Sequence, residues 1–367
     1  MKYFTFIIGL MFTFAVHGQK KIFDNKPLMH RVTILLDHIY NYEFESANLV
    51  LERIEKDIPG HPAVFILKSI KTYWEFYPLH GETGPSSLFV KDLESGIMIS
   101  EKMLDEDPDD IEAIIYDMVA RGLLMMFYAD NEESSKVFPH AYAAYKAVKK
   151  SFEYQDEFID YYFFTGLYNY YIEAYPEKHP VYKPFTVLFR DGDKKTGKKE
   201  LMHEANNGIF LKAEANRFLI YIYLNFENNP GKALFHANKL YMQYPSNLYF
   251  EGKKTELLLI TGDYEAARIH IINLLKKKDD RYSNMKGIIF KGIWEEKYKN
   301  DNSEAKENYL TGIEMAKNFG TIAENYLAYA YFGLSRIYQI EGKIKPAEKY
   351  LKMAEEIAVY DYFETLK

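Results

Sequence analysis

The sequence predicts an all-α solenoid of about eight helix pairs. Three observations carry that prediction. The chain of 367 residues is 48% hydrophobic and 27% charged, which is enough apolar material for a packed core. It is poor in turn formers, with 20 Gly and 13 Pro, whereas an all-β sandwich needs a turn signal every ~8–12 residues. From residue 27 onward, amphipathic segments of about 14–20 residues follow one another, separated by short joints that hold Pro, Gly, Asn or Asp.

Taken in order, residues 1–18 read as a secretory signal. Lys2 supplies a positive start, Tyr3 to Val16 is an apolar run of 14 residues, and Val16 and Gly18 are small residues before a cut at Gln19. The run is shorter than the ~20 residues that cross a bilayer, and no second stretch of spanning length follows. The expectation is an exported protein, periplasmic or associated with the cell envelope, with no direct membrane span.

Residues 19–367 read as a single solenoid, with helix pairs expected at about 27–58, 61–106, 109–152, 157–208, 212–244, 247–278, 281–318 and 322–358. The clearest joint is Thr261-Gly262-Asp263-Tyr264-Glu265-Ala266-Ala267. Gly262 suits the left-handed position that ends a helix, and the small Ala267 lets the second helix approach the first. Ala233 holds the same place 34 residues earlier. The frame recurs at Glu341 to Ala347, at Asn302 to Ala305 without its Gly, and at Tyr42 to Ala47 with Tyr42 in place of Gly. Spacings of 38 and 42 residues between Ala267, Ala305 and Ala347 imply short insertions. The fourth pair departs from the frame: its segment at about 176–192 holds three prolines, so it is not helical throughout. Tyr182, Phe185, Leu188 and Phe189 are expected to dock this Pro-rich insertion onto the solenoid as an ordered loop.

These joints, and the 34-residue spacing of Ala233 and Ala267, resemble the tetratricopeptide repeat (TPR). The resemblance is strongest over 212–278 and 342–354. It implies a right-handed superhelix whose concave face is lined by the first helix of each pair. Within the fourth pair, Phe164-Thr165-Gly166-Leu167-Tyr168-Asn169-Tyr170-Tyr171 and the insertion that follows are similar to larger TPR-superfamily proteins of the tetratricopeptide-repeat-protein-thirty-nine type. That resemblance implies an interaction scaffold and not an enzyme.

The residues themselves offer little chemistry. A net charge of −7 argues against phosphate-driven nucleic-acid binding. The absence of Cys removes thiol nucleophiles, disulfides and Cys-ligated metals. Gly192-Asp193-Lys194-Lys195-Thr196-Gly197-Lys198 has phosphate-loop spacing, but Lys199 stands where Ser or Thr must hold Mg²⁺. It reads instead as a basic helix start with Gly197 at a close approach. Asp191-Gly192-Asp193 lacks the later ligands of a calcium loop. The acidic run Asp105 to Asp110 reads as a helix break with Asp at the next N-terminus. Glu295-Glu296 and Glu355-Glu356 read as solvated faces, since neighbours on a helix point in different directions. No cofactor, metal or catalytic residue is expected.

Aromatic residues are the remaining signal, with 33 Tyr and 26 Phe. Most are expected in the core. Counting from the repeat frame places Phe290, Trp294, Lys297 and Tyr298 in the groove at pair seven, and Phe332, Arg336, Gln339 and Ile340 at pair eight. Phe163, Leu167, Tyr170 and Tyr171 hold the corresponding places in pair four. Aromatics interleaved with Arg, Lys and Gln suit a peptide-binding groove. The expected function is thus a non-catalytic exported scaffold for an unknown protein or peptide, in a setting such as envelope assembly. A carbohydrate- or small-ligand-binding solenoid is the alternative.

Overall fold

The computed structural model of this chain describes residues 21–81, 83–178, 180, 183, 189–358 and 360–366. The leader, together with Tyr182, Phe185 and Leu188 of the insertion, lies outside the described residues. Sixteen α-helices and no strand occur among them. In chain order they are α1 (Lys26–Tyr40), α2 (Phe44–Asp57), α3 (Pro62–Glu75), α4 (Gly84–Glu106), α5 (Ile111–Asp130), α6 (Ser134–Tyr154), α7 (Tyr161–Lys178), α8 (Lys194–Asn207), α9 (Lys212–Tyr221), α10 (Pro230–Gln243), α11 (Leu248–Ile260), α12 (Tyr264–Lys276), α13 (Arg281–Trp294), α14 (Asn302–Ala316), α15 (Glu324–Ile340) and α16 (Ile344–Ile357). Each packs against its sequence neighbours, giving an all-α solenoid of eight helix pairs. Single π-turns, Ile222–Phe226 and Glu295–Lys299, extend α9 and α13.

The joints explain the regular pairing. Tyr42, Glu132, Asn228, Gly262, Asn300 and Gly342 take φ of 61°, 61°, 45°, 81°, 55° and 69° at six of the eight turns within pairs. So the left-handed position expected at Gly262 recurs where no Gly is present. In all six of these turns the next N–H reaches back across the helix end: Glu43 to His38 O (2.9 Å), Glu133 to Tyr128 O (2.8 Å), Asn229 to Tyr223 O (2.7 Å), Asp263 to Leu258 O (2.8 Å), Asp301 to Glu295 O (3.0 Å) and Lys343 to Tyr338 O (2.9 Å). Those bonds satisfy carbonyls that the helix end leaves open. Asp110, Asp193, Asn229, Asn247, Asp263, Asp280 and Asp301 accept from backbone N–H groups and cap the helices that follow them.

Small residues set how closely paired helices approach. Ala47, Ala233, Ala267 and Ala305 are each 0% exposed. At the α7–α8 crossing, a Cβ on Gly197 would lie 2.6 Å from Tyr170 N and 2.7 Å from Gly166 O. The glycine of the phosphate-loop spacing is therefore a helix-contact residue inside α8. Within the Pro-rich segment, α7 runs through Pro176 to Lys178, and residues 189–192 are non-helical.

The solenoid closes on itself. Asn247 Nδ2 donates to Tyr40 O (2.8 Å) and Tyr244 OH to Asp37 Oδ1 (2.9 Å). Trp74 meets Tyr249 at 5.7 Å between ring centroids, and Tyr77 meets Tyr282 at 5.8 Å. Thr321 Oγ1 donates to Asp130 O (3.3 Å). The segment after α16 turns back inward: Tyr360 pairs with the Tyr221 hydroxyl, Asp361 with Lys178, and Tyr362 and Phe363 are buried. Helices far apart in sequence are thus pressed together around an interior.

Candidate functional site

The first helices of the first five pairs, α1, α3, α5, α7 and α9, surround a cavity of about 590 Å³, with α6 adding part of the wall. That volume falls within the ~300–1,000 Å³ of small-molecule sites. The local sequence explains the lining. Helix α5 presents Ile115, Val119, Gly122 and Met126 to the cavity at helical spacing, while Ala113, Ala120, Leu124 and Phe127 are buried on its other side. Helix α7 presents Phe164, Tyr168, Tyr171 and Tyr175 in the same way. A helix that is apolar on both faces is buried on both.

Carbon dominates the wall, and the charged groups on it are Asp160, Glu214 and Arg217. Arg217 Nε donates to Glu214 Oε2 (2.7 Å), Tyr40 OH donates to Glu214 Oε1 (3.0 Å), and Arg217 Nη2 lies 3.3 Å from Met126 Sδ. Burial works against the guanidinium charge, but Glu214, together with Tyr73 and Tyr249, more than offsets this and holds Arg217 above its ordinary value. The Tyr171 hydroxyl is buried without a hydrogen-bond partner.

Asp160 is tied to a second acid. Its carboxylate accepts the backbone N–H groups of Ile209 (2.9 Å) and Phe210 (3.2 Å), where the chain enters α9. Glu204 is 0% exposed and receives no hydrogen bond from a protein donor. Burial first, and the Asp160 charge second, push its carboxyl up to about 11. Two carboxyl groups can face each other only when one keeps a proton. Of the two, Glu204 is the carboxyl that burial and the neighbouring charge drive furthest toward its protonated form.

A smaller cavity of about 270 Å³ lies between α11, α13 and α15, lined by Glu256, Phe290, Lys297, Tyr329 and Arg336 among others. Arg336 is spent on the protein itself: Nε and Nη2 lie 2.6 Å and 2.8 Å from the two oxygens of Glu296. Tyr309 OH adds a third bond to Glu296 at 2.7 Å. Burial would raise the Glu296 carboxyl, but Arg336 and Tyr309 hold it below its ordinary value. This corrects two expectations. Glu296 does not lie on a solvated face, and the forked edge of Arg336 engages an internal carboxylate.

The groove positions divide into three groups. Phe163, Leu167 and Tyr171 line the large cavity, and Phe290, Lys297 and Arg336 line the small one. Trp294 is half-buried, its Nε1 donating to Tyr264 O (3.2 Å), while Tyr298 is 39% exposed beside it with ring centroids 5.5 Å apart. Gln339 is exposed, as is Ile340. Tyr170 and Phe332 line neither cavity and are buried. Tyr170 is held by Glu227, to which its hydroxyl donates at 2.8 Å. Phe332 is covered by Phe363 at 6.2 Å from the returning C-terminal segment.

Gly122, Met126, Tyr73 and Arg217 were missing from the groove set that repeat counting produced. A signal was available in Ile111–Asp130. This segment is apolar over most of its circumference, and its internal charges Asp117 and Arg121 are four residues apart and pair with each other, so it offers little polar surface to a groove. Compared with protein-family profiles and with characterised proteins, the sequence matches none. No described helix is long and apolar enough to cross a membrane.

Proposed function

We propose that this protein is a non-catalytic, exported, TPR-like solenoid that binds a small apolar ligand in the cavity formed by its first five helix pairs. The observation that carries this reading is the space of about 590 Å³ walled almost entirely by carbon. An apolar guest there would take carbon surface out of water, which is the main favourable contribution to binding at such a site. Far smaller apolar cavities, of about 150 Å³, already take up benzene. The TPR-like assignment is supported by Ala233 and Ala267, which are one repeat apart and equally buried. Titration with diphenylhexatriene tests the reading. Saturable binding at one site per chain, displaced by a long-chain hydrocarbon derivative, is expected; fluorescence that never saturates contradicts it.

A second reading, a scaffold for a peptide, is favoured by one observation. Trp294 and Tyr298 form an aromatic pair that remains partly open, beside the exposed Lys297. Tyr298→Ala would weaken capture of such a peptide while leaving diphenylhexatriene binding intact.

A further inference from the structure

Resting on the reading of the large cavity as a ligand site, we propose that its guest is a long-chain carboxylate, with the acyl chain among the carbon walls and the headgroup on Arg217. The polar end of the cavity is built asymmetrically. Both oxygens of Glu214 are engaged, one by Tyr40 OH at 3.0 Å and the other by Arg217 Nε at 2.7 Å. The terminal edge of the guanidinium is not. Nη2 faces only the Met126 sulfur at 3.3 Å, a weak acceptor. Nη1 has no hydrogen-bond partner among the described residues, and Arg217 itself lines the cavity. That edge presents two parallel N–H donors, the geometry that matches a carboxylate in two-point fashion.

The surroundings favour an acceptor over a donor. Tyr73 lines the same cavity, and its hydroxyl has no hydrogen-bond partner among the described residues, so it supplies a further O–H. Of the acids on the cavity wall, a guest ending in an ammonium would find Glu214, whose oxygens are already paired, and Asp160, which is held by backbone N–H groups; Asp130, which also acts on Arg217, does not line the cavity. A guest ending in a methyl group would leave the Arg217 edge facing carbon. Burying such an edge without a partner is costly. A carboxylate meets the Arg217 edge, while Glu214 continues to orient the guanidinium through Nε. Much of the rest of the wall, including Leu123, Phe163, Leu167 and Phe218, offers carbon to a chain.

The test is a set of calorimetric titrations with hexadecanoate, its methyl ester and lysophosphatidylglycerol, on the wild-type protein and on R217M. Because R217M strands Glu214, the double variant E214Q/R217M is measured beside it; removing both partners preserves the fold more easily. Hexadecanoate is expected to bind the wild type at least ~10-fold more tightly than the ester, since losing a charge-assisted pair is worth about one decade or more. Both variants should lose that preference, with the ester unchanged. Equal affinity for acid and ester, or a preference that survives in the folded double variant, overturns the carboxylate assignment and leaves the apolar site standing. Lysophosphatidylglycerol binding as tightly as the acid overturns it too, in favour of a phosphate headgroup. Failure of both acid and ester to bind overturns the ligand site itself.

Discussion

Replacing Gly122 with leucine puts a branched apolar side chain into the large cavity. Gly122 sits in the interior of α5 and lines that cavity, and a Cβ built on it would meet no atom within 4 Å. Two favourable effects combine. Leaving Gly for Leu in a helix interior contributes about 0.8 kcal/mol, and burying the leucine adds roughly 1.5–3 kcal/mol. Fixing its rotamer takes back about 0.5–1 kcal/mol. The net expectation is a stabilisation of roughly 1–3 kcal/mol, where most core substitutions destabilise. In urea titrations the midpoint should rise with an unchanged slope. In a hexadecanoate titration the same variant should lose at least ~10-fold in affinity, because the side chain occupies guest volume. A lower midpoint would mean that the space is not there. A higher midpoint with undiminished affinity would mean that the guest binds elsewhere.

The remaining expectations concern the frame around the cavity. Glu204 has its carboxyl raised to about 11 against 4.5 ordinarily, so the fold keeps a proton that the unfolded chain releases above its own pKa. Stability is therefore full below about pH 4 and falls as pH rises toward 11, by about 3 kcal/mol at pH 7. Glu204→Gln removes that dependence and should flatten urea midpoints measured from pH 5 to 9; an unchanged slope with pH would show Glu204 ionised in the fold. Gly197→Ala places a Cβ 2.6 Å from Tyr170 N, and the forced separation of α7 and α8 should cost ~1–3 kcal/mol in thermal unfolding. Glu132 is exposed with φ of 61°, so Glu132→Gly should stabilise by about 1 kcal/mol, read from the urea midpoint, by relieving a left-handed backbone.

The helix pairs were legible because joints are local. A capping Asp or Asn, a left-handed residue and a small Ala lie within seven residues of one another, and their chemistry does not depend on distant parts of the chain. The left-handed residues at Tyr42, Glu132, Asn228 and Asn300 show that the turn geometry is imposed even where the sequence lacks Gly. The interior was less legible because it is made by closure. Nothing near Phe332 in sequence announces that Phe363 covers it. Nothing near Tyr40 announces that Asn247 donates to its carbonyl. At Glu296 a local device intervenes: the π-turn Glu295–Lys299 adds a residue to the helical repeat and rotates Glu296 inward onto Arg336. Helical counting across that turn places its residues on the wrong face. The cavity itself had a partial signature in the predominantly apolar character of α5. Which apolar face meets another helix and which meets open space depends on how tightly the solenoid winds.

An apolar guest with a carboxylate head inside the first five helix pairs would be visible in crystals grown with an ω-bromo long-chain carboxylate, through the anomalous signal of bromine. One bromine site per chain is expected inside the cavity, among side chains such as Leu123, Phe163 and Phe218, with density for the carboxylate continuing to the Nη edge of Arg217. Bromine confined to the molecular surface, or a cavity collapsed by repacking of Met118 and Met126, would contradict it.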